Sequence, residues 1–339
     1  MALAQRQFTI HFLTPAFLGN AHQDAAWRTP PFKSELRRWW RAAMAARGWE
    51  VAAIRDVEGT LFGEAADGQS RRSRVRLRFE RWQSYPGQAW EAAAERSRLR
   101  ATGQQLDAAG YLGYGRVAPP GAKNSAIPPK RAQGVTWRLA WPTDRFGDGV
   151  MEEVLGLMDR FGTVGGRSRN GWGSYALEPA DTGAALPSPR LADYRVDWRE
   201  AVTHHPWARG LGWDTHGPLL WQTQGQARWE DALRELGVIR KALCQAADNQ
   251  RCLLSYPVTD RRQPRWGPSD RVPNTLRFKI RSAGRDETGY VGQIAHFPCR
   301  PADRLWQELT AADQRRFPAL WERLHDTLDH WTTLERVSA

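Results

Sequence analysis

A mixed α+β fold is predicted for this chain of 339 residues. Three observations predict it. Segments with strand periodicity alternate with segments of helical periodicity, a glycine-rich loop joins one helix to one strand, and an arginine-bearing strand pattern in the first half recurs in the second. Hydrophobic residues make up 41% of the chain and aromatics 11%, the composition of a folded protein rather than a disordered one. No apolar run approaches the roughly 18 to 20 residues that a membrane-spanning helix needs, and the N-terminus has no signal-peptide h-region, so a soluble cytoplasmic protein with no membrane partner is expected. Cys244, Cys252 and Cys299 are odd in number and form neither a CxxC pair nor a Cys/His cluster at zinc spacing. A disulfide framework or structural metal is therefore not expected, and no cofactor is called for.

The elements follow in order. Residues 7–14 alternate with Phe8, Ile10 and Phe12 on one face, a half-buried strand. Thr29-Pro30-Pro31 opens a helix that runs to about Arg47, since Thr suits the N-cap and Pro the first turn. On that helix Phe32, Leu36, Trp39 and Ala43 form the buried stripe, while Lys33, Arg37 and Arg41 form a separate row with Trp40 at its edge. Residues 73–82 read as a strand with Val75, Leu77 and Phe79 inward and Arg74, Arg76 and Arg78 outward. From 83 to 134 core periodicity lapses, and the aromatic run Tyr111-Leu-Gly-Tyr114-Gly-Arg116 and the stretch carrying Lys123, Lys130 and Arg131 are read as an insertion projecting from the domain.

Structure resumes with a strand at 135–141, a helix at about 149–161, then the loop GTVGGRSRNGWGS and a further strand. The order strand, helix, strand, strand, helix, strand is that of a ferredoxin-like (RRM-like, βαββαβ) module over residues 1–182. Residues 181–206 read as a linker or edge segment. Beyond it come a helix at 228–247, a charged Pro-rich loop with Arg261, Arg262 and Arg265, strands at 275–281 and 290–297, and a long helical tail. In the first of these strands Leu276, Phe278 and Ile280 are expected inward and Arg277, Lys279 and Arg281 outward. Residues 183–339 thus form a degenerate second ferredoxin-like module that lacks a closing strand, or takes it from elsewhere in the chain.

Lys and Arg number 49 against 37 Asp and Glu, a net charge of +12, and a basic surface attracts polyanions, nucleic acid above all. Only five of the 49 are Lys, so codon bias toward Arg is an alternative source of the excess. Eight of 18 tryptophans have an Arg as immediate neighbour, the pairing of flat ring and cationic fork that single-stranded nucleic acid favours, although most tryptophans are expected in the core.

The glycine-rich loop is neither a Walker loop nor a dinucleotide fingerprint, because it follows a helix and enters a strand. Its glycines permit positive φ and close backbone approach, and Arg167 and Arg169 supply charge, which together suit a nucleic-acid backbone. A tight turn with solvated arginines is the equally open reading. His204, His205 and His216 near Asp214 lack a third group at metal spacing, and no nucleophile elbow or Cys/His pairing is visible. Asp24 near His22 reads as a capping or solvent-facing carboxylate.

TPAFLGN at 14–20, RTPPFKSELRRWWRAAM at 28–44, LFGEA at 61–65, SRVRLRF at 73–79 and GGRSRNGWGS at 165–174 together resemble the RAMP superfamily of CRISPR effector proteins. Within it the pattern is most similar to the first-numbered Cmr subunit of type III-B complexes. The resemblance covers residues 7–180 and continues loosely through 275–297. It implies two ferredoxin-like modules at the head of a multi-subunit antiviral ribonucleoprotein, near the 3′ part of the guide RNA, where target RNA is first engaged. It also implies a binding subunit and not an enzyme, because cleavage in such complexes belongs to a related subunit using an aspartate in a loop comparable to that of Asp24. The expected RNA-binding residues are Lys33, Arg37, Trp40 and Arg41 on the first helix, Lys123, Lys130 and Arg131 in the insertion, and Arg167 and Arg169 in the glycine-rich loop. The expected partners are guide RNA (crRNA), target RNA and other RAMP subunits. An endoribonuclease of the same superfamily and a Trp-rich module for another ligand are the alternatives.

Overall fold

The computed structural model describes residues 2–22, 24–66, 69–85, 108–117, 125–129, 134–144, 149–180, 185–258, 265–283 and 289–338. It is a mixed α+β protein built on two four-stranded sheets. The first joins β1 (Leu3–Phe12), β2 (Arg76–Phe79), β3 (Val135–Pro142) and β4 (Tyr175–Pro179) in the spatial order β2-β3-β1-β4, every pair antiparallel. Helices α1 (Thr29–Ala46), α2 (Val51–Phe62), α3 (Ala108–Leu112) and α4 (Val150–Phe161) belong to this half of the chain. Phe8, Ile10 and Phe12 alternate into the core, as the period of β1 predicts, and meet Phe32, Leu36, Trp39 and Ala43 of α1 there. Thr29 is the first helical residue and not the cap. Arg28 stands at the N-cap without a side-chain cap bond, and Pro30 and Pro31 occupy the first turn.

The second half contains β5 (Arg195–Asp197), α5 (Trp198–His204) and β6 (Leu211–Asp214), followed by β7 (Leu220–Thr223), α6 (Trp229–Ala247), β8 (Leu276–Ser282), β9 (Tyr290–His296), α7 (Ala311–Asp329) and β10 (Leu334–Arg336). Its sheet runs β8-β9-β7-β10, again antiparallel, so both sheets place the second, third, first and fourth of their strands in the same spatial sequence. The closing strand that sequence reading did not find is Leu334–Arg336, which pairs with β7 after the tail helix. No helix among the described residues is long and apolar enough to cross a membrane.

Several expectations are corrected. Of the two readings of residues 185–206, linker and edge segment, the second holds: β5 is the outer strand of a three-stranded sheet beside β6, and Trp198 and Val202 of α5 are buried against the second core. The described part of the expected insertion does not project from the domain. Ala109, Leu112 and Val117 are buried, and α3 packs along α6. Two of the three outward charges of β8 do not reach solvent: Arg277 is 4% exposed and Lys279 1%, while Arg281 is half-buried. One face of the second sheet carries α6 and α7, and its other face meets the first half of the molecule. There Arg277 donates to Glu35 of α1 at 3.0 Å, and Lys279 and Gln293 donate to the backbone carbonyls of Asp159 and Arg160 at the end of α4. The last carbonyls of a helix have no partner within it, so a cation and an amide from the second sheet satisfy them.

Candidate functional site

The glycine-rich loop sits where the two halves meet. Gly165, Gly171 and Gly173 adopt positive φ, and a Cβ on Gly173 would lie 1.9 Å from the Val164 carbonyl oxygen. Most of its polar groups are engaged internally, contrary to the expectation of amides open to a ligand. Gly166 N–H donates to the Phe17 carbonyl, Gly173 N–H to the Pro15 carbonyl, and Gly171 N–H to the Ser168 carbonyl. Across the junction, Phe278 N–H donates to the Arg169 carbonyl at 3.0 Å and Ile280 N–H to Ser174 Oγ at 2.9 Å. The loop is thus the seam of the molecule, and it turns its arginine side chains and Ser168 toward a cleft.

Those side chains line a cleft of about 610 Å³ between the loop, α3 and α6. Arg167, Arg169, Arg240 and Arg251 contribute four guanidiniums and Tyr111 and Tyr114 two phenol rings, and no carboxylate among the described residues lines the cleft. Arg167 holds a left-handed φ of 59°, a conformation costing a non-glycine residue about 1–2 kcal/mol. Burial, and then the neighbouring Arg116, lower the pKa of its guanidinium. Burial also pulls Arg169 down to about 10, helped by Arg38 and Arg277, and it remains charged at neutral pH. Its Nη1 donates to the Asn274 carbonyl at 3.3 Å. Arg240 is 8% exposed, and its Nη1, Arg251 Nε and Asn274 Nδ2 are buried with no acceptor among the described residues. A concave wall of donors lacking acceptors is a site for an anion. Tyr111 is held in place by Arg251, which donates to its hydroxyl at 3.3 Å, while Tyr114 is exposed at the rim.

The cleft brings together two of the residues that sequence reasoning singled out, Arg167 and Arg169. Lys33, Arg37 and Arg41 lie elsewhere, along α1 beside α2. Arg37 Nε is 2.7 Å and Arg41 Nε 3.8 Å from the buried carboxylate of Glu58, so part of the ridge charge is answered within the protein. Burial and then Arg37 lower the Lys33 pKa. Trp40 is corrected: it is 1% exposed, edge-on to Trp49 and Phe62, and offers no face for stacking. Lys123, Lys130 and Arg131 lie outside the described residues. Arg240 and Arg251 were missed because neither belongs to a motif, whereas the run Tyr111 to Arg116 was visible as the aromatic signal of the supposed insertion.

A second cavity, of about 440 Å³, gathers Asp214, His216, His325, Asp326, Asp329 and His330. Its carboxylates are partly spoken for, since Arg336 donates to Asp214 at 2.7 Å and stands 3.6 Å from Asp329. His325 Nε2 faces His296 Nδ1 at 2.9 Å in the core, and burial lowers the pKa of both imidazoles. Among the described residues, no group of three or more His, Cys, Asp or Glu is placed to hold a metal ion.

A sequence model of the RAMP superfamily matches residues 9–176. No curated protein matches the sequence. Among solved structures, the crystal structure of Cmr1 from Pyrococcus furiosus, in its apo form, superposes with a TM-score of 0.51 at 15% identity, covering 94% of this chain and 96% of that one. At that identity the likeness is one of fold. A chain of a type IV-B CRISPR complex aligns over 55% of this chain and 95% of its own at 13% identity, with a TM-score of 0.29.

Proposed function

Since the chain belongs to the RAMP superfamily through residues 9–176, we propose that it is a non-catalytic subunit of a type III CRISPR effector complex that binds guide RNA near its 3′ part and helps engage target RNA. The observation that carries this reading is the cleft in which four arginines and two tyrosines converge at the seam of the molecule, with no carboxylate among its described lining residues. Guanidiniums take phosphates bidentately and tyrosine rings stack on bases, so such a wall holds single-stranded RNA without reading its sequence, as a subunit handling many guides requires. The shared strand order of the two sheets supports two ferredoxin-like modules, 1–182 and 183–339, with α3 of the first packed on the second. Lys33, Arg37 and Arg41 then extend the RNA path along α1, weakened by Glu58. Other RAMP subunits in the same complex are the expected protein partners.

The test is binding of a fluorescent guide-repeat RNA to the full chain across a salt series. Arg169→Gln with Arg251→Gln is expected to weaken binding about tenfold or more and to reduce the slope of log K against log salt by about 1 to 1.5, at ~0.7 per single-strand phosphate contact. Unchanged affinity and slope overturn the cleft as the RNA site. Cleavage of the same RNA by the purified chain, abolished by His22→Ala or by changes at His204 and His205, overturns the non-catalytic role.

A further inference from the structure

We propose that the open face of the first sheet is a second contact surface for the sugar-phosphate backbone of single-stranded RNA, separate from the cleft. Helices α1 and α4 cover one face of this sheet, where Phe8, Trp137, Leu139 and Phe79 point. Alternation places the neighbouring residues on the opposite face: Gln5, Gln7 and Thr9 on β1, Arg138 on β3, and Arg76 and Arg78 on β2. Arg78 stands directly opposite Arg138 in the register, and Arg76 lies two residues further along β2. All three are exposed, and none of their side chains forms a hydrogen bond or ion pair with the described residues.

Like charges placed directly across an antiparallel pair destabilise it, so this arrangement favours an anion lying over the sheet. Nearby acids do little to answer it. Asp144 pairs with Arg74 at 3.6 Å, Glu178 on the far edge strand sits 3.7 Å from His11, and the exposed Glu80 follows the end of β2. Cations on an edge strand often serve only to block edge-to-edge pairing, which accounts for Arg76 and Arg78. It does not account for Arg138, because β3 is an interior strand flanked by β1 and β2.

Polarity decides the occupant. A protein interface is built around a central bulky apolar or aromatic anchor, and the centre of this face holds Gln5, Gln7, Thr9, Arg138 and the small Ala140, none of them such an anchor. A phosphate backbone needs no anchor, and guanidinium forks beside amide and hydroxyl groups are the donors that bind it.

This inference shares its ligand class with the proposed function, and the two surfaces separate by mutation. The full chain is titrated with fluorescent poly-uridine RNA across a salt series, as wild type and as the variant Arg76→Gln/Arg78→Gln/Arg138→Gln. The expected result is an affinity loss of about tenfold or more and a salt slope smaller by about 2, for three contacts at ~0.7 each. Relieving the arginine repulsion leaves the Tm unchanged or raised, so the loss is not unfolding. Wild-type affinity and slope in this variant overturn the proposal, and loss of a co-expressed RAMP subunit with RNA binding intact overturns it in favour of an acidic protein partner. A weakened face variant beside an unaffected Arg169→Gln/Arg251→Gln variant upholds the face and overturns the cleft. RNA binding absent from the wild type overturns both.

Discussion

Burial of Lys279 against the end of α4 lowers the pKa of its ammonium to about 7, with Arg281 and Arg277 adding repulsion and Asp159 and Glu35 opposing it. Nζ donates to the Asp159 carbonyl and lies 4.8 Å from the centre of the Tyr175 ring. A lysine whose folded pKa lies below its unfolded one binds fewer protons in the native state over the interval between the two values. Stability therefore rises with pH across that interval. For Lys279 the interval runs from about 7 to the ordinary value of 10.5. Lys279→Met is expected to be more stable than wild type near pH 7 and to lose that advantage progressively toward pH 10, read as the difference in urea midpoint between the two proteins. A difference independent of pH would show that Lys279 is not a buried charge. Sequence periodicity correctly grouped Arg277 and Lys279 on one face of their strand, but period two says which residues share a face and nothing about what covers it. Trp40 teaches the same point on a helix: its angular position at the edge of the stripe was legible, and the neighbour that buries it, α2, was not.

At the scale of elements, the long periodic segments were readable and the short ones were not. β3, α1, α4, α6, β8 and β9 fall where their periodicity puts them, and β1, expected over 7–14, runs over 3–12. The strands Leu220–Thr223 and Leu334–Arg336 span four and three residues, too few to display a period, and become strands because a partner lies beside them. Helix α2 escaped notice because Gly59 interrupts it and its polar face is weakly marked. The glycine-rich loop is the element on which the junction turns. Gly173 combines φ of +65° with the Val164 carbonyl in the space a Cβ would fill. Gly173→Ala is expected to cost at least about 2 kcal/mol in chemical denaturation, from left-handed strain plus backbone displacement. A cost under ~0.5 kcal/mol would mean that the loop yields freely and is not the seam described here.

For the molecule as a whole, one buried carboxylate ties the halves together. Glu35 of α1 accepts from Arg277 of β8 at 3.0 Å and from Trp39 Nε1 at 3.1 Å, and Arg38 Nε lies 3.2 Å away. Burial works to raise its pKa, but Arg277 and Arg38 together with these hydrogen bonds outweigh it and hold the carboxyl below its ordinary value. Glu35→Ala strands the buried Arg277 guanidinium and is expected to cost about 3–5 kcal/mol by urea titration, with Glu35→Gln/Arg277→Met recovering most of it. A cost below ~1 kcal/mol would show that the junction does not depend on this pair. The sequence by itself determined the fold class, the faces of the long elements, the family resemblance and the basic character of the surface, because each is set by local periodicity, by motif order or by composition. Tertiary structure alone decided which cations among the described residues are answered by acids within the protein and which are not. Glu35 and Glu58 answer Arg277, Arg37 and Arg41 inside the protein. Arg167, Arg169, Arg240 and Arg251 converge from segments as far apart as 167 and 251 on a wall to which the described residues contribute no acid. Coulomb interactions act across space and not along the chain, so the charge left unanswered by acids emerges only when the two halves close on each other.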